Sequence, residues 1–223
     1  MTWIKICGTT NLEDAQLAVD AGADALGFIF APSPRQITPK AAAEIINELP
    51  SKIVKVGVFV NGMAEEMAGV ATAVGLNSIQ LHGFEGTDTL KAIEDAIGPE
   101  LGIIRALPGD LLAGEFLLSE SHTRPNRAVL LDNSRLDSSG GTGEPFEWET
   151  AARNVRVMSE RFNFKFIIAG GLTSENVGEA IRIFRPWGVD VVSGVESKPG
   201  KKDPQKLRDF IRAVREADKS YHV

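Results

Sequence analysis

Short β-branched apolar runs alternate with longer stretches of helical period from one end of the chain to the other, and the alternation repeats eight times. Strands read over Trp3 to Cys7, Ala25 to Phe30, Ile53 to Val60, Ser78 to Leu81, Gly102 to Ala106, Ala128 to Asp132, Phe166 to Ala169 and Asp190 to Ser193, each to be followed by a helix. The helix starts carry chemical signals as well as periodic ones. Asn11 is placed to cap a helix bearing Leu12, Ala15 and Val19, and Thr38 precedes Pro39, a residue favoured in a first turn. Thr87 precedes a stripe of Leu90, Ile93 and Ile97, and Ser174 one of Val177, Ile181 and Phe184; each stripe needs a sheet to cover.

Strands joined by crossover helices run parallel, and eight of them in 223 residues leave about 28 residues per unit. That is close to the minimum for a closed (β/α)8 TIM barrel, so the expectation is an α/β chain folded as one barrel domain over residues 1–223. An open doubly wound sheet is the main rival, but it advertises its nucleotide site with a glycine-rich first turn, and here the first strand ends in Cys7-Gly-Thr-Thr without GxGxxG. The glycine-rich stretch from Asn133 to Pro145 is too short to separate two domains.

Charge narrows the partners. Twenty-four Lys and Arg against 30 Asp and Glu give a formal charge of −6, which repels nucleic acid and anionic bilayers alike. The start, Met1-Thr-Trp-Ile-Lys5, has no basic flank followed by an apolar run, and no segment approaches the roughly 18 apolar residues of a membrane helix. A cytoplasmic protein with no membrane and no nucleic-acid partner is expected. The one cysteine excludes an internal disulfide and a multi-cysteine metal site. HExxH and CxxC are absent, and Gly194 to Lys201 misses the Walker spacing by one and lacks the Ser or Thr, so these motifs give no metal site and no P-loop.

In a parallel barrel the strand C-termini converge on one mouth, where catalytic groups gather. Cys7 sits there. Strand alternation puts Lys5 on the same face with its Cα ~7 Å away, where its ammonium either favours the thiolate or pairs with a barrel carboxylate. A thiol lowered by one unit from about 8.5 would be roughly a quarter ionised at pH 7, enough to serve as a base. Asp132 ends the run Ala128-Val-Leu-Leu and reads either as a turn residue or as an inward acid. The loop Ser138 to Gly143, with Gly140, Gly141, Thr142 and Gly143, has the flexibility to fold over a ligand. Gly170 and Gly171 after the seventh strand, with Ser193 and Gly194 after the eighth, stand where such barrels hold phosphate on backbone N–H groups. Lys198, Lys201 and Lys202 either add local attraction or are simply solvated. Arg35 is suited to a two-point contact with a ligand carboxylate or is exposed, and His82 is a polar strand-end residue without a second metal-ligand type at the right spacing.

As a set these residues resemble the phosphoribosylanthranilate isomerase family of tryptophan biosynthesis, over nearly the whole chain. The signposts occur in order: Lys5-Ile-Cys-Gly8, Gly27-Phe-Ile-Phe followed by Ser33-Pro-Arg35, Val56-Gly-Val-Phe-Val-Asn61, Gln80-Leu-His-Gly83, Leu130-Leu-Asp132, Gly140-Gly-Thr-Gly143 with Phe146 and Trp148, Ala169-Gly-Gly-Leu172, and Val189-Asp190 through Ser193-Gly-Val-Glu196. The segment from Gly109 to Pro125 matches no signature.

The resemblance implies a cofactor-free Amadori rearrangement of N-(5-phosphoribosyl)anthranilate to 1-(2-carboxyphenylamino)-1-deoxyribulose 5-phosphate; amphipathic outer helices fit a monomer or a homodimer equally. It makes Asp132 the acid that opens the ribose ring and Cys7 the base that takes the C2 proton. Arg35, His82 and Asp190 become substrate contacts, and the turns at Gly171 and Gly194 the phosphate cradle. The mechanism asks for opposing shifts, thiol down and carboxyl up, because at pKa about 3.9 only about one Asp in a thousand is protonated at pH 7. Two rivals remain. A histidine-pathway aminoaldose isomerase pairs two aspartates, which Cys7 argues against; a catalytically silent barrel would bind a phosphorylated metabolite or a protein without turnover.

Overall fold

The structure is a computed structural model and describes residues 1–83, 85–98, 100–108, 126–132, 152–153, 155–157 and 164–220. Eight strands form a closed parallel barrel: β1 (Trp3–Ile6), β2 (Ala25–Ile29), β3 (Val54–Phe59), β4 (Ser78–Leu81), β5 (Gly102–Pro108), β6 (Arg127–Asp132), β7 (Lys165–Ala169) and β8 (Gly188–Val191). Closure comes from β8 pairing back on β1, with Lys5 opposite Asp190. Around the barrel lie α1 (Leu12–Ala21), α2 (Pro39–Asn47), α3 (Ala64–Val74), α4 (Thr87–Ile97), α5 (Val177–Phe184) and α6 (Pro204–Ser220). Residues 152–153 and 155–157, between β6 and β7, are helical as well. The expected Gly140 to Gly143 loop and the Gly109 to Pro125 segment lie outside the described residues.

Strand alternation sorts the side chains into two cores. Ile4, Ile6, Leu26, Phe28, Ile79, Leu81, Val129, Leu131, Phe166 and Ile168 face outward, against the apolar stripes of the helices. Ala25, Val56, Ile104, Ala106, Ala128, Leu130, Ile167 and Ala169 fill the interior, small residues interleaved with branched ones. The same parity directs Lys5, Cys7, Gln80, His82, Asp132 and Asp190 inward, so the polar groups complete the interior toward the strand C-termini.

All eight expected strands hold to within two residues, with the largest differences at β5, which runs on to Pro108, and at β8, which begins and ends two residues earlier than expected. Gly188, the first residue of β8, is pressed on β1, where an added Cβ would come 2.9 Å from the Trp3 carbonyl oxygen. The caps at Asn11 and Thr38 form as expected, accepting from the N–H groups of Asp14 and Ala41. Thr87 is the first residue of its helix, with Gly86 as cap, and the helix expected after Ser174 starts at Val177 behind Asn176. After β8 come a 3-10 turn (Ser193–Val195) and a short hairpin, β9 (Glu196–Lys198) and β10 (Lys201–Lys202), reversed at Pro199-Gly200 with Gly200 at φ +79°. The Pro-Gly pair is the local signal for that reversal.

Candidate active site

A cavity of about 200 Å³ opens among the strand C-termini, lined by Cys7, Gln80, His82, Leu130, Asp132, Gly170, Gly171, Asp190 and Ser193 among others. Cys7 follows β1, is only 3% exposed, and donates its N–H to the Val191 carbonyl at 2.9 Å. Its side chain occupies the space Gly27 leaves on β2, where a Cβ would fall 2.5 Å from Cys7 Sγ. Gly27 is therefore part of the site through the atom it lacks.

Lys5 lies one inward position below, fully buried, with Nζ 2.9 Å from Asp190 Oδ1 and a further hydrogen bond to the Cys7 side chain. Both readings of this lysine hold at once. Burial works against its charge, but Asp190 and Cys7 outweigh it and hold the ammonium above the ordinary lysine value. The expectation of a lowered Cys7 thiol fails. Burial pushes the thiol up, the Asp190 charge pushes the same way, and the attraction of Lys5 does not make up the difference.

Across the cavity, His82 Nε2 is 3.4 Å from Asp132 Oδ2, and Gln80 Nε2 is 3.5 Å from His82 Nδ1. A neutral imidazole protonated on Nε2 suits both contacts, giving a proton toward the carboxylate and a lone pair toward the amide. Gln80 is 2% exposed, and its Oε1 is buried without a hydrogen-bond partner among the described residues. An orphan acceptor in a cavity wall is a place for a ligand donor. A glutamine at a strand end carries no distinctive spacing, so nothing in the sequence marks this acceptor.

Gly170 and Gly171 follow β7 at φ +87° and +67°, in the left-handed region that glycine tolerates. Gly194 is not a lining residue, yet a Cβ there would sit 1.9 Å from the Leu172 carbonyl oxygen, so the turns after β7 and β8 meet backbone to backbone. Arg35 is also outside the lining residues. Its stem lies over Gly8, and its guanidinium grips Glu196 through Nε at 2.9 and 3.0 Å and Nη2 at 2.6 Å. Of the lysines after β8, Lys202 is neither solvated nor at the cavity: it is 2% exposed, while Lys201 pairs with Glu13 and Asp14. Among the described residues no group of three or more His, Cys, Asp or Glu could hold a metal ion, and no helix is long and apolar enough to cross a membrane.

Fold and site together define a (β/α)8 barrel with a thiol, a carboxyl group and glycine turns around one cavity at the strand C-termini. The family model for N-(5'-phosphoribosyl)anthranilate isomerase matches residues 4–213. The chain belongs to that family. It is 45% identical to the N-(5'-phosphoribosyl)anthranilate isomerase of Pelobacter propionicus, over 97% of each chain. With that of Desulforudis audaxviator it shares 42% identity over 97% of this chain and all of the relative. The crystal structure of the Thermotoga maritima phosphoribosylanthranilate isomerase superimposes with a TM-score of 0.80 at 38% identity, over 97% of this chain and 100% of that one. A crystal structure of a phosphoribosylanthranilate isomerase in complex with reduced 1-(o-carboxyphenylamino)-1-deoxyribulose 5-phosphate superimposes at 0.77, with 37% identity and the same coverage.

Proposed function

We propose that this chain isomerises N-(5-phosphoribosyl)anthranilate to 1-(2-carboxyphenylamino)-1-deoxyribulose 5-phosphate in tryptophan biosynthesis, as one barrel domain over residues 1–223. The observation that carries the reading is that Cys7 and Asp132 line the same cavity with glycine turns beside them. The reaction moves protons only. Asp132 protonates the ribose ring oxygen, the C1–O bond breaks, and the nitrogen lone pair forms a C1=N iminium. Cys7 removes the C2 proton, the electrons of that C–H bond become the C1=C2 bond of an enolamine, and reprotonation at C1 with loss of the hydroxyl proton gives the ketone.

The raised thiol sharpens this sequence. In the free protein burial keeps Cys7 protonated. The iminium created by ring opening adds a positive charge next to C2, and with Lys5 it favours the thiolate when a base is required. Asp190, held by Lys5, presents its remaining oxygen to a sugar hydroxyl, and Gln80 Oε1 takes a second donor. Gly170, Gly171 and Ser193, with Gly194 allowing the close approach of the two turns, cradle the phosphate. Arg35 is the group for the anthranilate carboxylate, with Nη1 left over after its grip on Glu196. The setting is the cytoplasm, and the working form a monomer or homodimer.

Mixing the purified protein with freshly made phosphoribosylanthranilate tests the reading, through loss of anthranilate-type fluorescence without added metal or nucleotide. Catalytic decay is expected. Saturable binding without turnover would identify a silent barrel and overturn the proposal.

A further inference from the structure

The hairpin after β8 carries ionic groups that the proposed reaction does not use. Lys202 Nζ donates to the Cys7 carbonyl at 2.6 Å and lies 3.2 Å from Glu196 Oε1. The Lys202 and Glu196 side chains are 1% and 3% exposed. Glu196 also receives the Arg35 fork and the Gly200 N–H, so one buried carboxylate gathers two cations and a turn. The Lys202 N–H donates to Asp14 Oδ2 at 2.8 Å, Lys201 Nζ takes Asp14 Oδ1 at 2.9 Å, and Thr10 Oγ1 donates to the Gly200 carbonyl at 2.6 Å. The hairpin is thereby bolted to the β1–α1 connection that carries Cys7.

A lysine is an expensive way to pin a hairpin, since an apolar side chain would fill the space without desolvating a charge. Burial does hold this ammonium below the usual lysine value, against the pull of Glu196 and Cys7. What a lysine adds is a charge and a donor on the main chain of the one residue that bears the thiol. The charged groups that act on Cys7 come from four places: Lys5 on β1, Asp190 on β8, Arg35 after β2 and Lys202 on β10.

We propose that Lys202, with Glu196 as its counter-ion, is a positioning residue for Cys7: it fixes the main chain from which Sγ projects and supplies a second buried cation beside Lys5. The catalytic part of this inference rests on Cys7 acting as base; the effect on the thiol does not.

Because the chain has one cysteine, alkylation by iodoacetamide reports on Cys7 alone. The test measures the alkylation rate of the full chain against pH without substrate, by mass spectrometry, for wild type and Lys202→Met. Loss of the cation moves the midpoint up by about one pH unit, so the rate at pH 8 falls roughly tenfold. With phosphoribosylanthranilate, kcat falls about tenfold while KM stays within about threefold, and the deficit narrows as pH rises. If Lys202→Met does not fold, Lys202→Gln carries the same expectation with a polar head in the cavity it fills. A folded variant whose alkylation midpoint lies within about 0.2 unit of wild type overturns the proposal. A shifted midpoint in a protein whose wild type shows no turnover supports the placement of Lys202 and removes the isomerase reading instead.

Discussion

The two sides of the cavity are built on opposite plans. On the β1 and β8 side, Cys7 is 3% exposed and set among Lys5, Asp190 and, behind the main chain, Lys202 and Glu196, all buried. On the β4 and β6 side, the Asp132 side chain is 21% exposed and its neighbour His82 40%, at a contact of 3.4 Å. A thiol in a dry frame has its reactivity set by fixed charges and exclusion of water. A carboxyl group in a wetter setting can exchange its proton with solvent and with an imidazole. In the proposed mechanism the contrast suits a base that acts after a cation has formed and an acid that must be recharged each turnover.

The largest expected effects come from removing either pole. Cys7→Ser keeps the size but leaves a hydroxyl far too weak an acid to supply the base, and Asp132→Asn leaves no proton to deliver. Each should lower kcat by about 10³-fold or more, with circular dichroism unchanged and product still bound by Asp132→Asn. Wild-type-like turnover in either variant would erase the contrast. Gly27→Ala comes next, because its Cβ would collide with Sγ and with the Cys7 backbone at 3.1 Å. On the dry side nothing can yield cheaply, so kcat should fall about 100-fold with a stability loss of about 1–3 kcal/mol by urea unfolding. His82→Asn probes the wet side. A solvent-reachable carboxyl group has another route to its proton, and a loss of only about tenfold in kcat is expected. A loss as deep as that of Cys7→Ser would mean the two sides are equally closed.

The barrel was legible because its signal is redundant. Eight repeats of strand and helical stripe survive an error of two residues at β8, and strand parity alone turns Lys5, Cys7, Asp132 and Asp190 toward a common interior. Legibility ended where chemistry depends on the balance of neighbours. Lys5 beside Cys7 suggests a lowered thiol only if little is known of burial, and burial proves the larger influence. Lys202 reads as one member of a basic run, Lys198-Pro-Gly-Lys201-Lys202, and nothing in that run tells a side chain that is 2% exposed from one in solvent. Its partners, Cys7 and Asp14, lie 195 and 188 residues away in the chain. Arg35 likewise carries no hint in the sequence that Glu196 already holds most of its fork.

The smallest expected effect is thermodynamic, and it separates the two sides without any substrate. Burial raises Asp14, but the Lys202 N–H, Asn11 and Lys201 bring it below the ordinary carboxylate value. Burial likewise raises Glu196, and Arg35 and Lys202 bring it down. A carboxylate whose folded pKa is depressed adds stability that is complete above its unfolded pKa, about 4, and is lost as pH falls through the folded value. The urea midpoint should therefore be nearly level from pH 7 to 5 and drop below about pH 4. Asp14→Asn should lower the midpoint at pH 7 and make the acid drop shallower, by a few tenths molar in urea, because the group that must be protonated is gone. An acid drop as steep in Asp14→Asn as in wild type would show that Asp14 does not carry the acid sensitivity, and would leave Glu196, held down by Arg35 and Lys202, as the group on the dry side that does.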